Sequence, residues 1–215
     1  MSEAMSANDR GVSRYLRAVV VVVAAWLGAA SCGAQVLSPG APYDAKSRVE
    51  RVSAYVFLDM RPEFMPDGFR RKFKEKLSQE LSRSGVPNQE LWFADTDAGR
   101  DLIANPAAYT AARMTEIPIG KTMRENAAKD REFRPTHWLF IYPSESSPSR
   151  DGAVLTVRWE FKDTRTGYID WSIFSVTHAL WRTMDPADAE QAAADYVDGM
   201  VAELRRCKVI ADAQP

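Results

Sequence analysis

The chain has 215 residues, 46% apolar and 27% charged, with 28 Lys and Arg set against 29 Asp and Glu. Those values fit one globular body, and a formal net charge of −1 with no long single-sign tail argues against nucleic acid as a partner. Cys32 and Cys207 are the only cysteines, so at most one disulfide can form, and only if Cys32 stays unmodified.

Arg10, Arg14 and Arg17 lead into an apolar run from Ala18 to Ala30, followed by Ser31, Cys32, Gly33 and Ala34. The run is shorter than the roughly 20 residues that span a bilayer as a helix. A basic start, a short apolar centre and small residues at the exit are the marks of a secretory signal. Cys32 stands where a bacterial lipoprotein signal places its lipidated cysteine, although Ala29 holds the position where Leu is usual and Leu27 comes two residues early. Three readings stay open: a lipidated Cys32, ordinary cleavage near Ala30 or Ala34, and a retained single-pass anchor marked by Val19 to Val23 and Trp26. All three export residues 35–215. The predicted organisation is a signal peptide over 1–31, the lipidated Cys32 and a flexible spacer over 32–48, and one αβ domain over 49–210. Without residues 1–31 the chain keeps 25 basic and 27 acidic side chains. A diacylated cysteine holds a protein durably at a membrane, since each buried CH₂ contributes ~0.8 kcal/mol. Gly33 after Cys32, rather than Asp, resembles the outer-membrane sorting pattern and gives an expected periplasm-facing location in a bacterial envelope.

Gln35 to Lys46 is rich in Ser, Pro, Gly and Ala and reads as the spacer. Val52, Ala54, Val56 and Leu58 alternate with Ser53, Tyr55 and Phe57, which predicts a central strand apolar on both faces. Asp67 is the expected cap of a helix whose Phe69, Phe73, Leu77 and Leu81 recur every four residues, stopped by Gly85 and Pro87. Leu91 to Ala94 reads as a short strand. Asp95 to Pro135 is polar, with weak helical pattern around 98–103 and 121–133. His137 to Tyr142 is a continuous apolar strand between Pro135 and Pro143, and Ser144 to Gly152 reads as a loop. Leu155, Val157, Trp159 and Phe161 alternate with polar residues, a strand with one wet face. Asp163 to Gly167 supplies a hairpin turn, with Gly167 where a positive φ is cheap, and Tyr168 to His178 is the return strand. Asp185 and Pro186 cap a last helix carrying Ala189, Ala193, Val197, Met200 and Leu204 on one face, its late Arg205, Arg206 and Lys208 matching the helix dipole. The predicted fold class is α+β: a single mixed sheet with a β-α-β start, a β-hairpin and a C-terminal helix packed on it.

The hairpin from Glu160 to Ser172, with Asp163, the turn Gly167 and Trp171 on the return strand, resembles that of bacterial envelope lipoproteins related to the penicillin-binding-protein activators and the curli-secretion lipoprotein. The resemblance implies a mixed αβ domain similar to anticodon-binding folds, without enzymatic activity of its own.

Catalytic constellations are thin. His137 and His178 both fall in predicted strands among large apolar residues, with no Cys, Asp or Glu at ligand spacing, which argues against a zinc site. Gly120-Lys121-Thr122 lacks the earlier Gly of a phosphate loop, because Thr115 stands there, and Asp95 to Gly99 lacks the last ligand of a calcium loop, because Pro106 stands there. Ser144 to Ser149 has no nucleophile elbow. No cofactor is expected. Arg70, Arg71, Lys72, Lys74 and Lys76 read as a solvated helix face, or as a contact for an acidic partner or anionic headgroups, with Arg70, Arg71 and Lys74 the candidates for that contact. Trp138, Trp159 and Trp171 fit a core or sheet face, and Trp92 and Trp181 lie near element ends. The expected function is a non-catalytic, membrane-tethered lipoprotein that binds or scaffolds another envelope protein. The alternative is an exported enzyme or small-ligand carrier with a site near His137 and residues 95–135.

Overall fold

The computed structural model describes residues 35–36, 43, 48–60, 66–104, 116–149, 152–179 and 185–213. The signal segment, Cys32 and Trp181 lie outside them. In chain order the elements are β1 (Gln35–Val36), β2 (Val52–Val56), α1 (Asp67–Arg83), β3 (Asn88–Trp92), α2 (Asp97–Ala104), α3 (Glu116–Phe133), β4 (His137–Ser149), β5 (Gly152–Asp163), β6 (Ile169–Ala179) and α4 (Pro186–Arg206). Short 3-10 turns at Leu58–Met60 and Phe93–Asp95 follow β2 and β3. The described strands form one mixed sheet in the order β1-β6-β5-β4-β2-β3, so the chain is an α+β fold as its sequence predicts. β2 runs parallel to β3 and β4, and the β4-β5-β6-β1 half is antiparallel.

Each face of β2 is covered by its own layer. Val52, Ala54 and Val56 meet Phe69, Phe73, Leu77 and Leu81 of α1 and the Ala193, Val197, Met200 and Leu204 stripe of α4 in one core, which continues over Leu155, Val157, Trp159, Phe161, Trp171 and Ile173 of the hairpin. Tyr55 and Phe57 point the other way, into a second core with Leu91, Phe93, Leu102 of α2 and Phe140, flanked by Ile119 and Met123 of α3. At the centre of the first core Phe73 packs against Trp92, Trp159 and Tyr196 with ring centroids 5.7 to 6.2 Å apart. The polar tips there are matched: Trp159 Nε1 donates to the Tyr196 hydroxyl at 3.0 Å, which lies 2.7 Å from Ser175 Oγ.

Termination follows local chemistry. Gly85 takes φ +72, and its N–H and that of Val86 bond back to Ser82 and Leu81, closing α1 where the sequence predicts. Asp185 caps α4 by accepting from Ala187 N–H at 2.8 Å. Asp67 departs from expectation: it opens the first turn of α1, Pro66 holds the cap position, and no side chain caps the helix.

Two more expectations are corrected. Gln35 and Val36, read as spacer, pair with Val176 and Ser175 and give the sheet its outer strand. Farther along, Tyr43 N–H donates to Cys207 O at 2.8 Å, so the spacer segment is fixed to the domain at two places. The loop expected over 144–152 is instead the tip of a long hairpin, because β4 carries on through Pro143 with a register shift between Pro143 and Glu145. Its polar side chains and two prolines hide a strand whose backbone pairs regularly with β5.

The β5–β6 turn is as predicted. Asp163 Oδ1 accepts from Arg165 N–H at 2.7 Å and Thr166 N–H at 3.1 Å, and Gly167 follows with φ +72. A Cβ at Gly167 meets nothing within 4 Å, so a side chain there costs backbone strain alone. Gly167→Val should lower stability by ~1 to 3 kcal/mol, and Gly167→Asn by less, since Asn tolerates the left-handed region. Trp171→Ala, which empties a buried site against Phe161, should cost ~3 to 5 kcal/mol. Urea midpoints check all three, and an unchanged midpoint in Trp171→Ala would place that ring outside the cooperative core.

Candidate functional site

The strand register assembles a cluster that sequence spacing hides. His137 opens β4 and pairs directly with Asp163 at the end of β5, and the tight turn returns Asp170 on β6 to the same place. His137 is fully buried; its Nε2 lies 3.2 Å from Asp170 Oδ2 and 3.1 Å from the Tyr43 hydroxyl, while Nδ1 lies 3.1 Å from Thr136 Oγ1. One ligand atom from each of His137, Asp163 and Asp170 lies within 4.8 Å of the others. The reading that no carboxylate accompanies either histidine is therefore corrected for His137: its partners are 26 and 33 residues away and meet only through the hairpin register. The signal available in the sequence was that His137 and Asp163 bound two consecutive strands. Tyr43 also lines a cavity of about 820 Å³ with Arg48, Glu50, Arg205, Lys208 and Asp212. His178 lies in β6 opposite Val154, and its side chain is outside the described residues.

On the opposite face Asp130 of α3 gathers four donors from three strands. Ser53 and Tyr55 of β2 donate at 2.6 and 2.5 Å, and Gln89 of β3 and Trp138 of β4 at 3.0 Å each. Burial, then the neighbouring Asp130 carboxylate, drives the Tyr55 hydroxyl well above its ordinary pKa, so Tyr55 stays a donor. This arrangement fastens a helix to a sheet.

At the end of β2 the Asp59 carboxylate is buried, with Oδ2 accepting from Ala94 N–H at 3.0 Å and Oδ1 without a hydrogen-bond partner. Burial pushes its pKa up to about 6, against the opposing pull of that N–H and of Arg70. Glu90 on the edge strand β3 is pushed up to about 7, again by burial, although Trp92 Nε1–H donates to it at 2.9 Å.

These acids explain where the basic residues of α1 go. Arg70 pairs with Asp95 at 2.6 Å, approaches Asp59 to 4.0 Å and lies over the Trp92 ring. Arg71 pairs with Glu190 of α4 across the helix interface, and Lys74 is exposed near enough to Glu90 to ease its charge. Arg70, Arg71 and Lys74 thus do not form one unpaired row: Arg70 serves the fold, and Arg71 and Lys74 keep contact with solvent. Gly120, Lys121 and Thr122 lie inside α3, and no described helix is long and apolar enough to cross a membrane.

Asp59 and Glu90 bind protons more tightly folded than unfolded, so their contribution is complete below about pH 4 and is lost as pH rises through about 6 and 7, on the order of 3 kcal/mol apiece. Asp59→Asn combined with Glu90→Gln should gain stability relative to wild type between pH 5 and pH 8. Denaturant midpoints across that range test this, and a difference that stays flat or runs the other way would contradict it.

No protein-family model matches the chain, and none of the curated proteins does. Among solved structures it is similar to a variant PelC dodecamer from Paraburkholderia phytofirmans, at 13% identity and TM-score 0.39 over 83% of this chain and 98% of that one. It is also similar to lipoprotein GNA1162 from Neisseria meningitidis, at 15% identity and TM-score 0.31 over 71% of this chain and 98% of that one. Neither likeness is close enough to transfer a role to any residue of this chain.

Proposed function

We propose that this chain is a non-catalytic lipoprotein of the bacterial envelope, exported by its first 31 residues, anchored in the outer membrane through Cys32, and facing the periplasm to bind another envelope protein. The observation that carries the reading is β1. Gln35 begins a strand of the folded sheet only three residues after the cysteine that the signal offers for lipidation. Three extended residues reach roughly 10 Å, so a lipid on Cys32 fixes the domain itself at the membrane surface rather than letting it range on a long leash. The basic and small-residue pattern around Ala18 to Ala30 and the hairpin resemblance to envelope lipoproteins support the same reading.

Cys32→Ser should leave an uncleaved precursor or release residues 35–215 from membranes. Intact-mass analysis of the wild type decides the matter: a mature chain beginning at Cys32 with acyl mass is expected, and one beginning elsewhere without it would remove the anchor. For the partner, Arg71 and Lys74 are the exposed basic side chains in the first two turns of α1, 72% exposed for Arg71. Arg71→Ala with Lys74→Ala should weaken cross-linked capture of an envelope partner several-fold with folding intact. Capture at full strength would place the contact elsewhere on the domain.

The ligand-carrier alternative draws on one observation, the His137 cluster beside the Tyr43-lined cavity.

A further inference from the structure

We propose that His137, Asp163 and Asp170 form a binding site for a divalent transition-metal ion of the zinc class, and that the ion clamps the β5–β6 hairpin to β4 and to the N-terminal segment carrying Tyr43. The donor set is one imidazole nitrogen and two carboxylates, a mixture that suits a borderline ion such as zinc better than magnesium or calcium, which favour oxygen alone. The geometry is near that of a filled site. Ligand atoms bonded at about 2.0 to 2.2 Å around a tetrahedral ion stand roughly 3.4 Å apart, and His137 Nε2 and Asp170 Oδ2 already stand 3.2 Å apart, with Asp163 inside the same 4.8 Å group.

The surroundings are those of a structural site. Thr136 Oγ1 holds the ring at Nδ1 and is itself held by Glu50 N–H and Arg51 N–H, so Nε2 is aimed at the carboxylates by a fixed support. Asp163 keeps one oxygen on the turn amides of Arg165 and Thr166, which fixes its carboxylate plane. Tyr43, whose hydroxyl lies 3.1 Å from Nε2, also lines the cavity and offers a fourth position, as a ligand itself or by yielding to water. A divalent ion also offsets the mutual repulsion of two carboxylates brought together beside a fully buried ring. The site stands on these residues alone and does not depend on the proposed anchor or partner.

Equilibrium dialysis of the full-length detergent-solubilised protein against zinc chloride, followed by elemental analysis, tests the proposal. One zinc per chain is expected, with a higher melting temperature in its presence. His137→Gln and Asp170→Asn should each weaken binding at least tenfold. Asp170 is the less buried of the two, so Asp170→Asn with an unchanged circular dichroism spectrum remains decisive if His137→Gln fails to fold. Substoichiometric zinc in the wild type, unchanged binding in folded Asp170→Asn, or retention of calcium or magnesium in place of zinc would each overturn the proposal.

Discussion

The architecture depends on β2 being apolar on both faces. Val52, Ala54 and Val56 on one side and Tyr55 and Phe57 on the other are all completely buried, and a strand of that kind is stable only between two covering layers. Its parallel neighbours determine how the layers are made. β3 and β4 flank β2 on opposite sides, so two crossovers leave in opposite directions, and the right hand general to such connections sends them over opposite faces: α1 goes over one face to reach β3, and α2 with α3 returns over the other to reach β4. The second layer has fewer large apolar side chains, and Asp130 compensates. Its carboxylate joins α3 to three adjacent strands, and a charged acceptor serving four neutral donors is stronger than four ordinary hydrogen bonds.

The antiparallel half is organised differently. α4 covers its first face, while on its second face Arg158, Glu160, Lys162 and Phe174 contact one another: Glu160 is held at 2.6 Å by Arg158, whose guanidinium also lies over the Phe174 ring. The groups with chemical potential therefore collect at the ends of the sheet. Asp59 and Glu90 lie with the basic residues of α1, and the His137 cluster lies where the N-terminal segment, the start of β4 and the hairpin turn meet. The basic residues of α1 are mostly taken up by ion pairs, Arg70 with Asp59 and Asp95, Arg71 with Glu190, Lys72 with Glu75 and Lys76 with Glu80 and Asp198, which explains why a run of five basic residues yields only a small exposed positive surface.

The sequence was readable where a periodicity or a turn chemistry acts within a few residues. The four-residue repeat of Phe69, Phe73, Leu77 and Leu81, the alternation of Leu155 to Phe161, the Gly167 turn and the Asp185 cap all appear as predicted. Weak helical pattern in 95–135 also became α2 and α3. What was not legible is non-local. β1 is two residues in a Pro- and Gly-rich stretch and exists only because β6 offers it an edge; the extension of β4 past Pro143 exists only because β5 pairs with it. Asp130 and the His137 cluster follow the same rule: nothing near Asp130 in sequence marks it as the acceptor for Ser53, Tyr55, Gln89 and Trp138, and His137 gains its carboxylates through strand register.

The proposed lipid on Cys32 would attach almost directly to a sheet edge, and would set which end of the domain faces the membrane. β1 enters beside Val176, running opposite to β6, so the chain reaches it from the end of the sheet that carries the β4–β5 tip, while the β5–β6 turn lies at the other end. The most direct measurement is spin-label accessibility on the acylated protein in lipid vesicles, with one label at Glu145 near the tip and another at Arg165 in the turn, both exposed positions. The Glu145 label is expected to sense the headgroup region and the Arg165 label bulk water. Equal water accessibility at both sites, or a closer approach to lipid by Arg165, would contradict it.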